Sequence, residues 1–113
     1  MKIVGTNMHM SRGDSESIAV MFRDSDGNHI PLVTGDTIYF TVKKSILDTE
    51  KKLQKIITTF IDGKAIVQID PIDTKNLPYG KYVYDVQLTK SSGNVTTLIT
   101  PSDFVICGEV TYE

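Results

Sequence analysis

Cysteine is nearly absent: Cys107 is the only one in 113 residues. A lone thiol closes no intrachain disulfide, so the stapled scaffold of small secreted proteins is excluded. Tryptophan is missing and the histidines are limited to His9 and His29. Neither C-x-x-C nor H-x-x-x-H spacing occurs, which argues against a structural zinc site. Long apolar runs are also missing. Nothing approaches the ~18–20 residues that span a bilayer. The opening Met1-Lys2-Ile3-Val4-Gly5 lacks the apolar stretch of a signal peptide, so a soluble chain with no membrane partner is expected. Charge of one sign is scarce too: 12 Lys and Arg stand against 14 Asp and Glu, a formal net charge of −2. The basic residues are scattered, the densest being Lys43–Lys44 and Lys51–Lys52 with Lys55. That is a solvated face rather than a phosphate track, and no nucleic-acid partner is expected.

What the sequence does contain is period-two alternation broken by turn residues. Ser17–Arg23 sets Ile18, Val20 and Phe22 on one face. Asp24-Ser25-Asp26-Gly27-Asn28 is a dense turn, since Asp and Asn bond nearby backbone and Gly accepts positive φ. Thr37–Lys43 sets Ile38, Phe40 and Val42 together, with Tyr39 and Thr41 opposite. Ser45–Leu53 reads as a loop, in preference to a short helix, leading into an edge strand over Gln54–Ile61. Asp62-Gly63-Lys64 is a hairpin signal. Ala65, Val67 and Ile69 alternate with Ile66 and Gln68. Pro71 interrupts the strands, and Asp73–Leu77 fits one helical turn. Gly80 opens the most regular strand, with Tyr82, Tyr84, Val86 and Leu88 facing one way. Ser91-Ser92-Gly93-Asn94 is a turn, Val95–Thr100 the next strand, and Asp103–Cys107 the last, beyond Pro101.

About seven or eight strands with turns every ~8–12 residues point to an all-β sandwich or barrel. No βαβ crossover is visible, so the sheets are expected to be antiparallel. Leu77-Pro78-Tyr79-Gly80-Lys81-Tyr82-Val83-Tyr84 fits a tyrosine corner, in which Tyr82 bonds back to the backbone just upstream. The expectation is therefore one immunoglobulin-like antiparallel β-sandwich over residues 1–113. Its core would hold Ile18, Val20, Phe22, Ile38, Phe40, Val42, Val67, Tyr82, Tyr84, Val86, Leu88 and Phe104.

Candidate chemistry is thin. Arg12-Gly13-Asp14-Ser15 contains the tripeptide that integrins read on flexible loops. The plainer reading is a turn before the Ser17 strand, with Asp14 or Ser15 bonded locally. Asp24–Asn28 starts like a calcium loop, but Gly stands fourth rather than sixth and the twelfth residue is Gly35, not Glu. Cys107, among Val105 and Ile106, reads as a small buried residue. No phosphate loop or nucleophile elbow occurs. No catalytic, cofactor-binding or metal residues are expected, and the chain is not read as an enzyme.

Several segments, taken in order, carry a family resemblance. They are Arg12-Gly13-Asp14-Ser15, Asp26-Gly27-Asn28, Pro31-Leu32, Gly35–Lys43, Gln54-Lys55, Asp62-Gly63-Lys64-Ala65 and Pro71-Ile72-Asp73-Thr74. Gly80–Val86, Gly93–Leu98 and Glu109-Val110-Thr111 complete the series. Together they resemble the immunoglobulin-like N-terminal domain of upper baseplate proteins of tailed phages of Gram-positive bacteria, and short proteins of prophage tails. The resemblance implies a virion structural protein, made in a bacterial cytoplasm and placed in a phage tail or baseplate. Its partners would be other tail or baseplate proteins, and a homo-oligomer is expected. The sequence ends at Glu113, without the receptor-organising regions of those proteins, so assembly rather than host recognition is expected. The alternative is a glycan- or cell-surface-binding β-sandwich using Tyr39, Tyr79 or Tyr112.

The one segment that reads as an interface is Ile56, Ile57, Thr58, Thr59, Phe60 and Ile61. It is uncharged and β-prone. As an edge strand it would offer unpaired backbone to another chain unless the Ser45–Lys52 segment covered it.

Overall fold

The computed structural model describes residues 1–109. Tyr112 and the Val110-Thr111 part of the resemblance lie outside the described residues. The strands are β1 (Lys2–Val4), β2 (Asn7–Ser11), β3 (Glu16–Val20), β4 (Phe22–Arg23), β5 (His29–Ile30) and β6 (Thr37–Lys43). They continue with β7 (Leu53–Ile57), β8 (Ala65–Ile69), β9 (Gly80–Thr89) and β10 (Val95–Cys107), and α1 (Pro71–Lys75) lies between β8 and β9.

One sheet has six strands in the order β1-β2-β10-β9-β6-β7; β3 pairs with β8, and β4 with β5. The inward rows of the large sheet include Met8, Met10, Ile38, Phe40, Val42, Tyr82, Tyr84, Val86, Leu88, Phe104 and Ile106. They meet Ile18, Val20, Ala65, Val67 and Ile69 of the β3–β8 pair in one cluster. The all-β expectation is met, because alternation with a period of two can bury only one face of each strand. At the centre Phe40 stacks on Tyr84 with centroids 5.3 Å apart, and Phe104 meets both edge-on at 6.2 Å.

The turns follow their residues. Asp62 and Gly63 both take positive φ, 52° and 73°, the primed geometry that suits the twist of a tight hairpin. Ile61 and Lys64 exchange both backbone bonds around it, at 2.9 and 3.0 Å. Asp24 Oδ1 accepts the N–H groups of Asp26 and Asn28, both at 2.9 Å. Helix α1 starts two residues earlier than expected. Pro71 takes a first-turn position, where its missing N–H costs nothing, and the Asp70 N–H donates to the Asp73 carboxylate at 2.7 Å. The Tyr82 hydroxyl donates to the Pro78 carbonyl at 2.8 Å, the bond expected of a tyrosine corner.

Five expectations are corrected. The described residues form ten strands, not seven or eight, because β1 and β2 come from the N-terminal stretch and the Ser17–Arg23 run breaks at Met21. Phe22 accordingly starts the separate β4–β5 hairpin and is half-buried, packed against the core rather than within it. The sheet is not wholly antiparallel, since β2 runs parallel to β10. Parallel neighbours need a long connection, and nearly the whole chain lies between these two. Val95–Cys107 is one strand, with register shifts between Thr97 and Ile99 and between Ile99 and Ser102. Pro101 falls within the second irregularity, where a missing donor is tolerated.

Cys107, lastly, is exposed. Phe104 and Ile106 point inward, so alternation turns Val105 and Cys107 outward. A thiol reagent is therefore expected to label the folded protein completely without denaturant. Labelling that appears only after unfolding would contradict this placement.

Candidate functional site

Strand β7 closes one end of the six-stranded sheet. Among the described residues it pairs with β6 alone, Tyr39 opposite Ile56 and Ile38 opposite Ile57, so its other side is an open edge there. The strand ends at Ile57. Thr58, Thr59 and Phe60 are irregular as the chain crosses to the other layer, and Ile61 is held only by its bridge to Lys64.

The six residues of the expected interface separate here. Ile56, Ile57, Thr58, Thr59 and Ile61 surround a crease of about 350 Å³ together with Ile66. Phe60 instead turns toward the core and packs against it half-buried. Ile56 is 57 % exposed and Ile61 65 %. Ile66 joins from the outward row of β8, a place already set by its alternation with Ala65 and Val67. The Ser45–Lys52 segment does not cover this edge. Its Ile46 and Lys51 line a different groove.

That second groove, about 450 Å³, lies on the outer face of the large sheet. The β6–β9 register sets Tyr39 opposite Gln87 and Thr41 opposite Asp85. Gln54 stands opposite Thr41 and donates its amide N–H to Thr41 Oγ1 at 3.0 Å. Desolvation raises the Asp85 carboxyl above its ordinary pKa, with the charge of Lys43 pulling the other way.

The remaining sequence candidates are tied into local structure. The Arg12 guanidinium bonds Glu109 Oε1, the Leu77 carbonyl and the Tyr79 hydroxyl at 2.9–3.3 Å, and lies 4.1 Å over the Tyr79 ring. The Gly13 N–H donates to Thr74 Oγ1 at 2.8 Å. The Asp14 N–H closes the turn on the Ser11 carbonyl at 3.2 Å. The bond to local backbone is thus made by the Asp14 main chain, and the Arg12 side chain is bound rather than displayed. The Asp24 carboxylate caps its own turn. Among the described residues no three His, Cys, Asp or Glu come together as a metal site, and no helix is long and apolar enough to cross a membrane.

Searches of protein-family models, curated proteins and solved structures found no match to the chain.

Proposed function

We propose that this chain is a non-enzymatic assembly module of a phage or prophage tail or baseplate, built as an immunoglobulin-like sandwich, and that copies of it associate through the β7 edge. The observation that carries the reading is the apolar crease of Ile56, Ile61 and Ile66 beside an unpaired strand edge. Edge strands of stand-alone proteins are usually blunted by charge, Pro or a covering segment. Here Lys55 is the charged residue of β7, and it is turned to Asp73 at 2.8 Å. Two further observations are consistent with the sandwich family. The Tyr82 bond to Pro78 is of the tyrosine-corner type, and the resemblance follows the segment order along the chain. Tail parts repeat around symmetry axes, so one self-associating patch serves every copy.

The test is mass spectrometry of purified particles from a lysogen carrying the gene. The chain is expected in wild-type particles. With Ile56→Lys and Ile61→Lys together its abundance is expected to fall at least about tenfold, equivalent to ~1.4 kcal/mol of lost contact. Absence of the chain from wild-type particles would refute the tail assignment. Undiminished incorporation of the variant would refute the β7 interface.

A further inference from the structure

The outer face of β6 and β9 carries a second surface, which meets the β7 edge at the Tyr39–Ile56 and Thr41–Gln54 pairs. Tyr39, Thr41, Asp85 and Gln87 form two adjacent cross-strand pairs there, set by the ladder register. Side chains rooted on paired strands hold their spacing better than side chains on loops. Ile46 and Lys51 wall the groove from the β6–β7 connection, and Val95 and Pro101 from the β10 flank.

Among the described residues the Tyr39 hydroxyl, the Asp85 carboxylate and the Gln87 amide engage no hydrogen-bond partner, and the one cation acting on Asp85 is Lys43. The Gln54–Thr41 bond fixes the Gln54 amide beside them. A half-buried phenol ring, a carboxylate, two amides and a hydroxyl therefore converge on a space of about 450 Å³. That volume falls within the ~300–1,000 Å³ of small-ligand sites.

The chemistry of this face selects among ligands. β6 is paired on both sides, to β7 and to β9, so its backbone is spent in the ladder. An extended peptide, whose affinity comes from main-chain pairing at an open edge, gains none here. A phosphate backbone needs clustered cations, whereas the two lysines of this groove, Lys43 and Lys51, share it with the Asp85 carboxylate. What remains is a ligand read by side chains alone, with groups that both donate and accept and with an apolar flank for the ring. Sugar hydroxyls match carboxylate and amide oxygens in that way, and the C–H face of a sugar ring suits an aromatic plane.

We propose that the Tyr39–Asp85–Gln87 face is a binding site for a neutral saccharide. The ring of Tyr39 stacks on the sugar, the Asp85 carboxylate accepts hydrogen bonds from its hydroxyls, and the Gln87 amide both accepts and donates them.

The experiment is a proton–nitrogen NMR titration of the full chain with chitotriose, maltotriose and lactose, each to about 10 mM. At least one is expected to give saturable shifts at Tyr39, Thr41, Asp85 and Gln87, with a Kd in the ~0.1–5 mM range. Tyr39→Ala and, separately, Gln87→Ala are expected to weaken that binding about tenfold or more, and Ile61→Lys to leave it unchanged. If Tyr39→Ala does not fold, Asp85→Asn takes its place with the same expectation. No saturable shift with any of the three sugars overturns the proposal. Shifts centred elsewhere, or shifts indifferent to the groove variants, overturn it as well. Because Ile61 lines the crease beside β7 and not this groove, failure here and failure of the assembly reading are distinguishable.

Discussion

Replacing Phe40 with Ala is expected to lower unfolding stability by about 3–5 kcal/mol, the range for deleting a large aromatic from a packed core. Phe40 has 0 % exposure and sits on the middle strand of three, β7-β6-β9. Its ring is the contact shared by Tyr84 and Phe104. Both neighbours are held from elsewhere. The Tyr84 hydroxyl donates to the Thr6 carbonyl, and Phe104 is paired to Met8 and Tyr82 across two ladders. Neither is free to slide into the void, so collapse of the cavity is opposed and the loss belongs at the upper end of that range. Urea denaturation of the variant checks it, and a loss under about 1 kcal/mol would mean that the three-ring centre is not the core.

Asp36→Ala is expected to cost about 2–3 kcal/mol, through charge-assisted hydrogen bonds rather than through packing. Asp36 is only 2 % exposed. Its Oδ2 accepts from the Val33 N–H at 3.0 Å and from Lys90 Nζ at 3.1 Å. One carboxylate thus closes the turn into β6 and ties it to the end of β9. Lys90 keeps 32 % side-chain exposure and turns to water when its partner is lost. The Val33 N–H loses the acceptor that closes the turn into β6, and that loss carries most of the penalty. Asp36→Asn keeps an acceptor for that N–H, so a smaller loss is expected, about half. Equal losses for Ala and Asn in denaturation experiments would place the energy in the Lys90 ion pair instead.

The parts of the fold that were legible in the sequence are those decided locally. Ile38, Phe40 and Val42, or Tyr82 through Leu88, alternate cleanly because both strands carry one wet and one dry face. Asp62-Gly63 declares its turn because positive φ at two successive positions suits few other pairs. Pro78 and Tyr82 are four residues apart, so their bond is local as well. The parts that were hidden depend on distant partners. β2 is short, and only its parallel place beside β10 gives Met8 and Met10 a reason to be buried. The run through Phe22 breaks because the Asp24 turn folds β4 back on β5, a competition that alternation alone does not resolve. Cys107 is a different case. The alternation of Phe104 and Ile106 already turned it outward, and its apolar character misdirected the reading.

The candidate site divides in the same way. The β7 edge was visible as an uncharged, β-prone run, but Phe60 and Ile66 exchange roles there because the chain changes layers after Ile57. The saccharide face was only partly visible. Tyr39 was marked as an exposed aromatic, whereas its neighbours Asp85 and Gln87 come from a strand more than forty residues away, and register alone brings them together.

Concentration-dependent light scattering of the isolated chain tests the assembly claim most directly. Wild-type protein is expected to rise above monomer mass as its concentration increases from about 10 μM to 1 mM, the range in which a modest exposed patch associates. With both Ile56→Lys and Ile61→Lys it is expected to stay monomeric at unchanged stability, because both positions are solvent-exposed and charge on an edge blocks strand addition. A wild-type chain that remains strictly monomeric throughout, or a double variant that associates equally well, would contradict the β7 edge as the surface through which copies assemble.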